Sequence, residues 1–117
     1  MVGMKFKTIK IKKKENEIEI KVRVCNFLKK GFGLMFTSRE KAQALLFEFR
    51  KPTKLKITSW FVFFSFVAIW IDEEEKIVAI KKVNPWQASV PLDKPFIKLV
   101  EIPINKKYAD LVEKILK

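Results

Sequence analysis

From Glu17 to Cys25 the chain alternates strictly. Ile18, Ile20, Val22 and Val24 are separated by Glu17, Glu19, Lys21 and Arg23. A period of two belongs to a strand with one dry and one wet face. Just upstream, Met4 to Lys12 also reads as a strand, but its apolar parity changes: Met4 and Phe6 are even, Ile9 and Ile11 odd. A bulge or kink near Thr8 would reconcile the two halves. Residues 13 to 16, "KKEN", can join these strands in a hairpin. That register sets Lys12 opposite Glu17 and Lys10 opposite Glu19, with Ile11 opposite Ile18 and Ile9 opposite Ile20. Opposite charges then meet on the wet face and isoleucines on the dry one.

Further along, "TSREKAQALLF" carries Thr37 and Glu40 at capping-box spacing, with Ala42, Leu45 and Leu46 on one side. The spacing predicts a short helix over about 38–46. "LFEF" then alternates as a strand, and "RKPTK" is expected to break it. The segment "ITSWFVFFSFVAIWI", residues 57–71, has twelve apolar residues in fifteen. A membrane helix needs about 20 such residues, so this run is too short to span. Its β-branched and aromatic content favours strands. Its length predicts a break near Ser65, with one strand before it and "VAIWI" after it. Continuous apolarity implies cover on both faces, as in the middle of a sheet. "DEEEK" is a turn, and "IVAIKKV" returns as a partner strand, making a hairpin of residues 67–83. "NPWQASVPLDKP" is a proline-rich loop. "FIKLVEI" is a last strand with mixed faces, the pattern of an edge or partly covered strand. After Pro103, Tyr108, Leu111, Val112, Ile115 and Leu116 line one side of an amphipathic helix over about 106–116. The whole predicts one α+β domain, 1–117, mostly β: a compact, antiparallel-rich barrel or sandwich-like sheet with two short helices.

Composition narrows the chemistry. The 117 residues contain one cysteine, Cys25, and no histidine. An internal disulfide, a cysteine-based metal cluster, a Ser-His-Asp triad and a Cys-His pair are thereby excluded. No apolar h-region follows the basic amino terminus, so a cytoplasmic protein is expected. Abundant Lys, Glu and Ile with little Gln fit a thermophilic source. The net charge is +12. Such a balance either attracts phosphate or is the ordinary surface of a lysine-rich chain.

The order "GLMF", then the phenylalanine-rich run, "AIWIDEEEKIVAI", "PW" and "KPFIKLVEIP" resembles the family called domain of unknown function 192, in its archaeal form. The likeness runs from about Val22 to Pro103, with Gly33–Phe36, Ile69–Asp72 and Leu99–Pro103 as anchors. It implies a compact, mostly β domain with short helices, and no assigned activity. The chain departs from the pattern at Ser65-Phe66-Val67, where relatives carry Pro-x-Asp. Its tail past Pro103 also lacks the family's glycine-rich ending.

No arrangement of residues points to catalysis, a metal or a cofactor; none is expected, and the reading leans away from an enzyme. The acidic cluster Asp72 to Glu75 lacks the interleaving of a calcium loop and is explained by a turn. Cys25 reads as a small free thiol. The two glycines of "KKGFG" read as a tight turn rather than a phosphate cradle. Trp86, in a loop beside Gln87, is the best candidate for ligand contact. The candidate binding residues are Lys30, Phe32, Gly33, Trp86 and Gln87, on two loops that would meet a protein or small-molecule partner. Weak, sequence-independent nucleic-acid binding through the lysines is the alternative.

Overall fold

The computed structural model describes residues 5–13, 15–25, 38–54, 57, 59, 62–87, 90 and 92–117. Six strands form one mixed sheet: β1 (Lys5–Lys13), β2 (Asn16–Cys25), β3 (Leu45–Thr53), β4 (Phe66–Ile71), β5 (Ile77–Val83) and β6 (Phe96–Pro103). One helix follows, α1 (Ala109–Leu116). The strand order is β1-β2-β3-β6-β4-β5. Neighbours are antiparallel except β2 and β3, which run parallel over Arg23–Cys25. The sheet curls into a half-barrel that brings the edge strands β1 and β5 close.

The amino-terminal hairpin has the register its charges and isoleucines predict, including Lys10 against Glu19 and Ile11 against Ile18. The expected bulge near Thr8 is absent, because pairing runs unbroken from Lys5 to Lys13. Phe6 instead stays on the outer face, where the Lys21 ammonium lies 5.1 Å from its ring centre. Methylene and ring cover each other there, so the parity change costs no bulge.

The helix expected over 38–46 is not formed. A single turn, with Ala42 N–H donating to Ser38 O at 3.0 Å, gives way to extended chain and then β3. Two side chains from beyond β6 account for this. Asn105 donates to the carbonyls of Arg39 (2.7 Å) and Ala42 (3.3 Å), and Ala44 N–H donates to Tyr108 Oη at 2.9 Å. Backbone groups that a helix would have paired internally are satisfied by tertiary contacts. Ala44 and Leu46 then face the inner core while Ala42 and Leu45 face the outer one. That two-sided burial suits a strand and not a helix with one apolar stripe.

The apolar run also divides differently. Its second half is β4, buried at every position. Among the described residues before Ser65, an isolated bridge of Ile57 with Val90 stands in place of the expected first strand. Val62 and Phe64 pack down onto the outer core from this irregular segment. β3 runs on through Pro52, with a register shift between Glu48 and Thr53. β6 is not an edge strand. It lies between β3 and β4, bonded on both sides.

Two apolar clusters result, one on each face. The inner one gathers Ile18, Ile20, Leu46, Ile69 and Val100 and is closed by Val112 and Ile115 of α1. Lys13 at the hairpin end donates to the carbonyls of Ile115 and Lys117, the latter at 2.7 Å, a cation at the negative end of the helix. The outer cluster holds Phe47, Phe66, Trp70, Phe96 and Leu99.

Candidate functional site

The outer face of the sheet carries a row of residues that can be read across five strands. Arg23 of β2 pairs with Leu45 of β3, Leu45 with Glu101 of β6, Glu101 with Ala68 of β4, and Ala68 with Lys81 of β5. Paired residues share a face, so a carboxyl group stands mid-sheet with a cation two strands away on either side. Strand spacing sets the backbone of each of these residues about 10 Å off. The adjacent row is Cys25, Phe47, Leu99, Trp70 and Ala79.

Glu101 is 8% exposed, set between the apolar Leu45 and Ala68 of its row. Burial pushes its pKa up to about 8, because the anion cannot be hydrated there. At neutral pH this side chain is mostly a neutral acid. Trp70, its diagonal neighbour, is fully buried, and its Nε1–H has no acceptor. A buried polar group without a partner costs about 1–3 kcal/mol. The Trp70 indole shares its face with the buried Glu101 carboxyl. Lys81 extends over the Trp70 ring, its ammonium 5.8 Å from the centre. Cys25 is a half-buried free thiol. Burial pushes its pKa up most, Arg23 pulls it down and Glu101 raises it. A thiol so held is not a nucleophile at neutral pH.

At the end of the sheet where β4 begins and β5 ends, a second feature stands at the surface. Trp86 has φ of 60°, a left-handed conformation unusual for a bulky side chain. The buried Ser59 holds it there. Trp86 N–H donates to Ser59 O (3.0 Å), Gln87 N–H to Ser59 Oγ (2.6 Å), and Ser59 Oγ to Asn84 O (2.6 Å). Gln87 closes the turn by accepting from Asn84 N–H at 3.1 Å. The turn displays the Trp86 ring, 42% exposed, edge-on to Phe63, 58% exposed, with centres 5.5 Å apart. Of the residues singled out in the sequence, Trp86 is thus presented to solvent and Gln87 is a structural strut. Lys30, Phe32 and Gly33 lie outside the described residues. Asp72 Oδ1 accepts from Glu74 and Lys76 N–H, both at 2.9 Å, which makes the acidic cluster a turn.

Glu101 escaped the sequence reading because β6 read as an edge or partly covered strand, where an acid meets water. Its one visible signal is a lone acid inside the apolar stretch "LVEIP".

A family model for domain of unknown function 192, described only as an uncharacterized ACR, matches residues 8–109. The chain belongs to this family. Val67, at the place where the family pattern has Asp, is fully buried in the inner core, so this member has no carboxyl there. No curated protein matches the chain. Two solved structures resemble it in fold. One is a protein of unknown function from Novosphingobium aromaticivorans: 14% identity, TM-score 0.74, covering 92% of this chain and 79% of that one. The other, from Sinorhizobium meliloti, is described as a candidate transcription regulator: 14% identity, TM-score 0.75, covering 96% of this chain and 90% of that one. At such identity the likeness concerns fold alone. Among the described residues no helix is long and apolar enough to cross a membrane.

Proposed function

We propose that this DUF192 protein is a non-catalytic binding module whose ligand site is the outer face around Glu101 and Trp70. The observation that supports this most is the buried Trp70 Nε1–H without an acceptor, on the same face as the buried Glu101 carboxyl. A fold gains nothing from such a pair, since an apolar residue at position 101 would pack without the desolvation cost. Costs of this kind concentrate where a ligand completes the bonding. The Trp86–Phe63 step at the end of the same sheet is a second recognition surface, held ready by Ser59 at the expense of a disfavoured backbone angle.

The lysines give the nucleic-acid alternative less support. Lys7 pairs with Glu48, Lys10 with Glu17 and Glu19, and Lys98 with Glu75, each at 3.4 to 3.9 Å. These cations are spread over several strands and partly neutralised, and among the described residues no exposed aromatic row interleaves with them.

The test is a thermal-shift screen of small metabolites against the wild type and Glu101→Leu. The variant is expected to fold and to melt higher, yet to lose the compounds that stabilise the wild type. A variant that melts lower, or that keeps every hit, would remove Glu101 from the site.

A further inference from the structure

β2 is paired on both sides over only part of its length. It is bonded to β1 from Asn16 to Val24, but β3 meets it only at Arg23–Cys25. Across that second edge Arg23 N–H donates to Ala44 O at 2.8 Å. The N–H and C=O of a strand return to the same edge at every second residue, so those of Lys21, Glu19 and Glu17 point the same way as those of Arg23. Among the described residues these six groups have no backbone partner.

The carboxy-terminal helix runs opposite this bare edge. One cavity, of about 870 Å³, is lined by Asn16 to Glu19 and by α1. A second, of about 330 Å³, is lined by Glu19, Ile20 and Lys21 and by the start of the helix. Consecutive strand residues line both, so the opening follows the edge of β2 and not one of its faces. The two cavities share Glu19, Lys107 and Leu111 and thus make one groove between strand and helix. Lys13, bonded to the last carbonyls of α1, stands at one end of it. Gln43 and Ala44, leading into β3, stand at the other. From Asn16 to Val22 the edge is about 20 Å long, which suits a strand of about six residues.

We propose that this groove takes an extended acidic segment of a partner protein, added to β2 as a further strand between it and α1. Main-chain bonds to Glu17, Glu19 and Lys21 supply the attachment, and the side chains along the groove supply the selection. Ile18, Ile20 and Leu111 offer an apolar side to every second residue of the incoming strand. Charge decides its other residues. Glu17 and Glu19 are already engaged by Lys10 from the β1 side. On the helix side Lys107, Lys114 and Lys117 stand against one acid, Asp110. The chain as a whole carries +12. A second copy pairing edge to edge would set cation against cation, the usual guard of an open strand edge. An acidic strand meets no such barrier and is attracted. The phosphates of a nucleic acid only accept hydrogen bonds and would leave the three C=O groups of the edge unmatched.

The experiment uses the full chain labelled with ¹⁵N and an acetylated, amidated octapeptide that alternates Val and Glu. Binding is expected to be saturable and to slow hydrogen exchange at the amides of Glu17, Glu19 and Lys21. The amides of Ile18 and Ile20, already bonded to β1, should change little. The same peptide with Lys for Glu, or with prolines at its central positions, should not bind. The triple variant Lys107→Gln, Lys114→Gln, Lys117→Gln changes exposed side chains alone, so it should stay folded and bind the acidic peptide about tenfold more weakly. Added salt should weaken the wild type more than the variant. Equal or tighter binding of the lysine peptide would overturn the acidic assignment, as would an oligonucleotide that protects the same amides and displaces the peptide. Protection of those amides that grows with protein concentration, with no peptide present, would give the edge to a second copy instead. An acidic peptide that fails to bind, or that binds and leaves the three amides exchanging as before, would overturn strand addition.

Discussion

Glu101 makes the stability of this protein depend on pH in a direction opposite to ordinary acid denaturation. Its folded pKa of about 8 lies above the ordinary value of 4.5 that it regains on unfolding. Between these values the native state holds a proton that the unfolded state has released. The proton count is therefore larger in the folded state, and stability falls as pH rises. The full contribution is present below about pH 4.5, and it is lost progressively until pH passes about 8. One proton corresponds to about 1.4 kcal/mol per pH unit, so the interval from pH 5.5 to 7.5 removes about 3 kcal/mol. In a domain of this size each kcal/mol moves the melting temperature by roughly 3–6 °C, and the expected drop is of order 10 °C. The chain has no histidine, so no imidazole titrates in that window, and the Cys25 thiol is pushed above it. Glu101→Gln has nearly the same shape and no proton to lose. Its melting temperature should be flat from pH 5.5 to 7.5, and at pH 7.5 it should exceed the wild type by about 3–4 kcal/mol in urea unfolding. Calorimetric scans at five pH values across the interval, with urea titrations at its ends, measure both quantities. A wild-type melting temperature that stays level or climbs with pH, or a Gln variant less stable at pH 7.5, would refute the reasoning.

Ile115 is 1% exposed in the inner core, so Ile115→Ala should cost roughly 2–5 kcal/mol, and removal of α1 should expose the inner face and cause aggregation. An unchanged urea midpoint would mean that the helix is not part of the core. Tyr108→Phe leaves Ala44 N–H buried without its acceptor and should cost about 1–3 kcal/mol, read from the same titration. Trp86→Gly removes the penalty of a left-handed tryptophan and should leave the melting temperature level or raise it, while abolishing any ligand response carried by that ring. Trp70 is buried and should fluoresce to the blue of the exposed Trp86, moving red on unfolding; a Trp60→Phe, Trp86→Phe double variant isolates the signal. Binding to unrelated DNA and RNA oligonucleotides should be no tighter than about 10⁻⁴–10⁻⁶ M and should fall steeply with salt, as a filter or anisotropy titration at two ionic strengths will measure.

Local chemistry and periodicity decided much of this molecule. The β1–β2 register follows from alternating isoleucines and opposed charges, because a one-residue slip would turn every isoleucine to water. β4 and β5 follow from a doubly apolar run, a turn built on Asp72 and a returning strand. The terminal helix follows from its stripe of apolar positions. The likeness to the family also rested on residues visible in the chain, and the family model matches across them. Three things needed the tertiary structure. Residues 38–46 have the letters of a helix, but Asn105 and Tyr108, more than sixty positions away, take up their backbone groups. Strand order is non-local: β6 is inserted between β3 and β4, so its mixed pattern, read as an edge or partly covered strand, stands in the middle. The row from Arg23 through Glu101 to Lys81 then exists only because five strands from separate parts of the chain are set in register. Periodicity reports which face a residue occupies along its own strand. Which strangers share that face, and whether a lone acid among them meets water, is settled by pairing across the sheet.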